Sequence, residues 1–227
     1  MKKDLYRYKY RVLAALLFFS TLALPAQDIT TAENFFDQVA DVYGEIRDYI
    51  AKVTITQEKD TMSGMLYYKT PNLLRIDFTS PAEQVLVTDG TKLTVYIPSY
   101  RVVMSQALRR RSAASLATKQ GLVMLRRNYS IAFLEGPNRV PLDGPSSIPV
   151  TKLKLTWRTS SEGFREMVLA INSQNMICRI DAVTIGYQKI QFNFEDIRIN
   201  QNIPDARFRY DAPGTANVQE NFLFEPD

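Results

Sequence analysis

The sequence predicts a mainly β chain with one amphipathic helix in front and a helical interruption in the middle. Short apolar runs divided by Pro, Gly and Asp turns give about six strands across residues 52–105 and about five across 129–200. Residues 105–128 break that rhythm with alanine, leucine, methionine and arginine, which favour helix. Before the strands, Phe35, Phe36, Val39, Val42, Tyr43, Ile46, Tyr49 and Ile50 recur at helical intervals.

The chain opens with Lys2, Lys3, Arg7, Lys9 and Arg11, then apolar residues 12–24, then Pro25 and Ala26. That order reads as a secretory signal peptide, and the apolar run is shorter than the roughly 17 to 25 residues that span a bilayer. Cleavage near Ala26 is expected, leaving residues 27–227 as one domain. Thr30 and Glu33 have capping-box spacing for the first helix, whose stripe needs an apolar partner such as the sheet beginning near Lys52. Residues 64–98 form the clearest ladder, with turns at Thr70-Pro71-Asn72, Ser80-Pro81 and Asp89-Gly90. Within it, Leu74, Arg75, Ile76, Asp77 and Phe78 alternate apolar with charged, which predicts one wetted and one covered face.

The helical interruption has an apolar side of Leu116, Leu122, Val123, Met124 and Leu125. Its basic side, Arg109, Arg110, Arg111, Lys119, Arg126 and Arg127, reads as a solvated face, with steering toward an acidic protein patch or anionic head groups as the alternative. Residues 135–149 are rich in Gly, Pro and Ser and read as a long turn or mobile loop within the domain. Cys178 is the only cysteine, so no intrachain disulfide forms, and its neighbours Ile177 and Ile180 predict a buried thiol.

Charge and composition exclude several classes. The leader carries five of the 28 Lys and Arg residues and one of the 24 Asp and Glu residues, so 23 of each remain and the mature domain is neutral. Nucleic-acid binding therefore has no warrant. The chain has no histidine, which removes the commonest general base and transition-metal ligand. Candidate carboxylate pairs are poor: Asp77, with Glu83, lies on a strand's charged face, and Glu195 and Asp196 point to opposite faces. Neither an enzyme nor a cofactor is expected.

The ladder resembles the LolA-type periplasmic carriers of outer-membrane lipoproteins. Their pattern G-x-L-x-x-K-x-P-N-L is met by Gly64, Leu66, Lys69, Pro71, Asn72 and Leu73, and the following segment by Pro81, Leu86, Val87, Asp89, Gly90, Leu93, Tyr96 and Pro98. Phe208, Tyr210, Pro213, Gly214 and Val218 are similar to the closing family signature. The resemblance implies an unclosed antiparallel β half-barrel of about eleven strands, covered on its concave apolar side by short helices that act as a lid. It implies a monomeric periplasmic carrier that holds lipoprotein acyl chains and takes them from the inner to the outer membrane. An inner-membrane lipoprotein-releasing ABC transporter would supply the acylated lipoproteins and an outer-membrane acceptor lipoprotein would receive them. A module that binds or senses another amphiphile, a glycolipid or phospholipid, is the alternative.

Leu74, Ile76 and Phe78 share one strand face and match inward-pointing family positions; Leu86 is selected by the resemblance alone, because Val85, Leu86 and Val87 have no period. Leu122, Val123 and Leu125 match lid positions that meet acyl chains. Each of the seven also fits plain core. The family commonly places arginine before the proline of P-N-L, where it latches the lid; this chain has Thr70, too short for that reach, so closure is expected to rest on apolar contacts.

Overall fold

A computed structural model describes residues 30–108, 118–160 and 163–220. The expected signal peptide, Leu116 and the arginines at 109–111 lie outside the described residues. Among the described residues two α-helices, α1 (Ala32–Glu45) and α2 (Lys119–Asn128), face one large open sheet. Its strands are β1 (Asp48–Gln57), β2 (Asp60–Lys69), β3 (Leu73–Ser80), β4 (Val85–Thr88), β5 (Lys92–Ile97), β6 (Val102–Ala107), β7 (Tyr129–Phe133), β8 (Val140–Pro141), β9 (Pro149–Trp157), β10 (Phe164–Ile171), β11 (Ile177–Thr184), β12 (Lys189–Ile199) and β13 (Asn217–Glu220). Among the described residues the order β13-β6-β5-β4-β3-β2-β1-β12-β11-β10-β9-β7 leaves both edges open, with β8 paired to β9. This is the mainly β half-barrel with helical cover that the sequence and its resemblance predicted. The six-plus-five count is exceeded by two-residue β8 and by β13, which joins β6 in parallel rather than antiparallel.

Local chemistry explains both agreement and departures. Helix α1 buries Phe36, Val39, Ala40 and Tyr43, the i, i+3, i+4, i+7 stripe that an amphipathic helix turns inward. Its cap is Thr31, one residue later than expected: the Thr31 hydroxyl accepts from Asn34 N at 3.1 Å, so Thr30 and Glu33 form no capping box. The helix stops at Glu45, and Tyr49 and Ile50 belong to β1, where Tyr49, Ala51 and Val53 alternate inward. Tyr49 fits the period of either element, and pairing with Tyr68 of β2 decides for the strand. Residues 105–107 likewise stay in β6 rather than joining the helical segment.

Close backbone approaches account for motif glycines. A Cβ on Gly64 would stand 2.3 Å from Asp77 O at the β2–β3 register shift. Gly90 has φ +88, which admits few other residues, and lies against Asn72. Beside it, Asp89 Oδ1 accepts from the Thr91 hydroxyl at 2.7 Å, Thr91 N at 2.8 Å and Lys92 N at 2.9 Å; burial opposes the charge but these bonds hold its carboxyl below the usual range.

The charged face of β3 does not simply meet water. Residues 203–210 form a strap across it: Lys69 Nζ donates to Ile203 O at 2.8 Å, and Arg75 Nη1 donates to the carbonyls of Arg207 and Arg209 at 3.1 and 3.0 Å. Arg207 pairs with Asp77 and stacks on Tyr67 at 4.1 Å, while Phe208 is buried. The Gly-Pro segment is anchored too, because Leu142 packs on Val150, Ala170 and Cys178, and Arg179 makes a two-pronged ion pair with Asp143. Cys178 is buried as expected, and burial pushes its thiol pKa up.

Candidate acyl-binding wall and its helical cover

The concave face is one apolar wall assembled by strand register. Ala51 of β1 stands opposite Leu66 of β2, Leu66 opposite Ile76 of β3, Ile76 opposite Leu86 of β4, Leu86 opposite Val95 of β5, and Val95 opposite Met104 of β6. Directly opposed residues share a face, so this row crosses six strands on one side. Leu74 and Phe78 join it, two residues either side of Ile76.

Burial is graded along the wall. Leu153 and Leu155 of β9 and Met167, Leu169 and Ile171 of β10 are fully enclosed under α1 and α2. Ile76 and Phe78 are buried in the same core, whereas Leu74, Leu86, Val95 and Met104 remain half-buried. The wall is neutral throughout. Burial raises the hydroxyl pKa of Tyr43 and of Tyr49 above the ordinary range, and that of Tyr68, partly offset by a hydrogen bond with Thr70, to about 12.

Helix α2 closes over the wall. Its Thr118 hydroxyl caps Gly121 N at 2.9 Å, and Leu122 and Leu125, three residues apart, both turn into the core. Val123 does not join them: it is 54% exposed, because one helical step of 100° from Leu122, in the sense away from Leu125, carries it to the outer side with Met124. Of the seven residues picked from the sequence, six therefore share one interior and Val123 stands apart. Val95 and Met104, which continue the same row, were not picked from the sequence. Val95 has a faint signal in the alternation of β5, but Met104 follows Val102 and Val103 in an unbroken apolar run that hides its face.

The described part of the basic side is not merely solvated. Lys119 Nζ lies 3.0 Å from Asp41 and Arg126 Nε 3.0 Å from Asp37, joining α2 to α1, with Glu33 at 3.7 Å from Arg126. Gly44 leaves room for the Lys119 stem, since a Cβ there would stand 2.7 Å from Lys119 Cδ. Thr70 is exposed and its backbone N–H donates to Arg47 O at 2.8 Å, in the turn below α1. Charge pairs between the two helices thus supplement the apolar contacts that hold the cover. These pairs are largely exposed and screened, so each contributes on the order of 0.2–1 kcal/mol. The Asp37→Asn, Asp41→Asn variant is expected to speed amide exchange in α2 several-fold at low salt, with the difference from wild type vanishing near 1 M salt.

Two of the carboxylates weighed for catalysis are tied up in ion pairs. Asp77 is held by Arg75 and Arg207, and Asp196 by Lys52 at 2.6 Å. Among the described residues no group of three or more acidic or cysteine side chains is placed to hold a metal.

Comparison with known proteins agrees with this arrangement. A family model described as outer membrane lipoprotein carrier protein LolA matches residues 51–211, from β1 through the strap. An outer-membrane lipoprotein carrier protein of Methylibium petroleiphilum is 25% identical over 210 residues, 92% of this chain and 97% of that protein. One from Leptothrix cholodnii is 26% identical over 196 residues, 79% of this chain and 85% of that protein. The crystal structure of an uncharacterized conserved protein from Thermus thermophilus has the same fold, with a TM-score of 0.54 at 16% identity over 83% of this chain and 98% of that one. With wall, cover and strap all inside the matched span or directly flanking it, the chain belongs to the LolA family of outer membrane lipoprotein carriers.

Proposed function

We infer that the protein is a periplasmic carrier that shields the acyl chains of lipoproteins between the inner and outer membranes. The observation that best supports this is the graded wall: an apolar concave face that is buried at Ile76 and Phe78 and only half-buried across β4–β6, beside a cover made of two helices. An acyl chain contributes about 0.8 kcal/mol per buried methylene, so three chains of roughly 15 methylenes represent about 36 kcal/mol of exposure in water. A carrier must hide much of this and still let go, which favours a loosely complementary wall over a tight pocket.

In this reading Leu74, Ile76, Phe78 and Leu86, with Val95 and Met104, form the acyl surface. Leu122 and Leu125 of α2 occupy the same interior when the carrier is empty. Cargo displaces α2, and the exposed Val123 takes no part in lining. The acylated lipoproteins come from an inner-membrane lipoprotein-releasing ABC transporter and pass to an acceptor lipoprotein at the outer membrane. Displacement of an environment-sensitive apolar dye tests the binding step: acylated peptide is expected to displace it and the deacylated peptide is not. Equal displacement by both would reject acyl recognition. Mass spectrometry of natively secreted protein then separates the cargo classes, since recovery of free phospholipid or glycolipid without acylated protein would favour the amphiphile-binding alternative.

A further inference from the structure

We propose that the end of the sheet carrying the β11–β12 turn docks onto anionic phospholipid bilayers, through Ile185, Tyr187 and Arg165. Strand register places the β1–β2, β3–β4, β5–β6, β9–β10 and β11–β12 turns at this same end. Among the described residues the two most exposed large side chains with apolar bodies, Tyr100 at 75% and Tyr187 at 69%, both sit here, and Ile185 is 55% exposed.

The turn is built to hold these groups outward. Thr184 N donates to Gln188 O at 2.9 Å, Tyr187 N to Thr184 O at 3.0 Å, and Gln188 N to the Thr184 hydroxyl at 3.1 Å. Arg165 completes the surface. Its guanidinium lies 4.0 Å from the Tyr187 ring centre and 5.2 Å from that of Trp157, and among the described residues no carboxylate pairs with it. Ring contacts of this kind leave guanidinium N–H groups for anionic oxygens, and the planar fork of arginine suits phosphate. Exposed Lys189 adds a second cation, and the adjacent β1–β2 turn, with Glu58, Lys59 and Asp60, adds one net negative charge.

A bilayer fits better than a protein partner. A few side chains projecting from a turn present far less than the roughly 800 Å² per partner of a stable protein interface. A membrane surface needs no complementary shape, and it favours tyrosine and tryptophan at the headgroup level with basic side chains beside them. Such contact would bring the carrier to where hydrocarbon enters or leaves it, but it does not depend on the identity of the cargo.

Co-sedimentation of the mature chain with extruded vesicles tests the proposal, with the emission of Trp157, the only tryptophan, as a second reporter. Wild type is expected to bind phosphatidylglycerol–phosphatidylcholine vesicles at least about tenfold better than pure phosphatidylcholine at low salt, with a change in Trp157 emission. The Ile185→Ser, Tyr187→Ser variant should lose about tenfold or more on both, and Arg165→Gln should lose mainly the preference for the anionic surface. Both variants are expected to keep full apolar-dye binding, which shows the fold intact and separates this surface from the acyl wall. Unchanged sedimentation of the serine variant, an Arg165→Gln variant with undiminished anionic preference, or no sedimentation of wild type with either vesicle would overturn the proposal, the last leaving the turn to a protein partner.

Discussion

Replacing Leu122 by glutamate is expected to lift α2 off the sheet without unfolding the sheet. Leu122 is fully enclosed among the residues of the concave core. A carboxylate left there without a partner costs several kcal/mol, enough to exceed what the two-helix contact contributes. The chain has a less costly way out than global unfolding. Helix α2 is ten residues long, and its inward contacts rest chiefly on Leu122 and Leu125. The sheet, by contrast, is held by continuous ladders, with β1 paired along most of its length on both sides. Amide exchange in residues 118–128 should therefore accelerate by 100-fold or more while β1, β2 and β9–β12 keep their protection. Apolar-dye binding to the empty protein should rise. Loss of protection everywhere would mean that α2 is an inseparable part of the core.

The second large effect is expected at the half-buried side of the wall. Leu86→Glu and Met104→Glu each place a charge where acyl chains would lie, yet neither site is fully enclosed, so the charge keeps access to water in the empty state. The fold should survive with a shift of about 1 kcal/mol or less in unfolding free energy. Affinity for acylated peptide should fall about 10- to 100-fold, as the carboxylate must be desolvated against hydrocarbon. A Val123→Glu variant serves as the control, since that side chain already faces outward, and it should bind as wild type does. Equal losses at 86, 104 and 123 would argue against a localised wall.

The contrast among these positions shows where the sequence was readable. Ile76 and Phe78 were legible because β3 alternates strictly, and alternation fixes a face without knowledge of neighbours. Leu86 was not, because Val85 and Val87 flank it with equal apolarity. The structure turns Leu86 inward opposite Ile76 and leaves Val85 and Val87 to the other face, buried on the side that the strap crosses. That strap was invisible beforehand: it joins Lys69 to Ile203 across 134 positions, and no local pattern announces a contact so distant. It also makes the charged side of β3 a second covered face rather than a wetted one. The outward position of Val123 was hidden for the opposite reason, since the run Leu122, Val123, Met124, Leu125 reads as uniformly apolar until the helical phase is set by what it packs against. Helix pairing through Lys119 and Arg126 likewise required knowing that α1 and α2 lie side by side.

Amide hydrogen exchange on the wild-type protein, with and without a saturating acylated peptide, tests the movable cover most directly. Binding is expected to strip protection from Lys119–Asn128 while leaving β1, β2 and β9–β12 as slow as before. Protection of α2 that is unchanged or increased on binding would contradict a cover that cargo displaces.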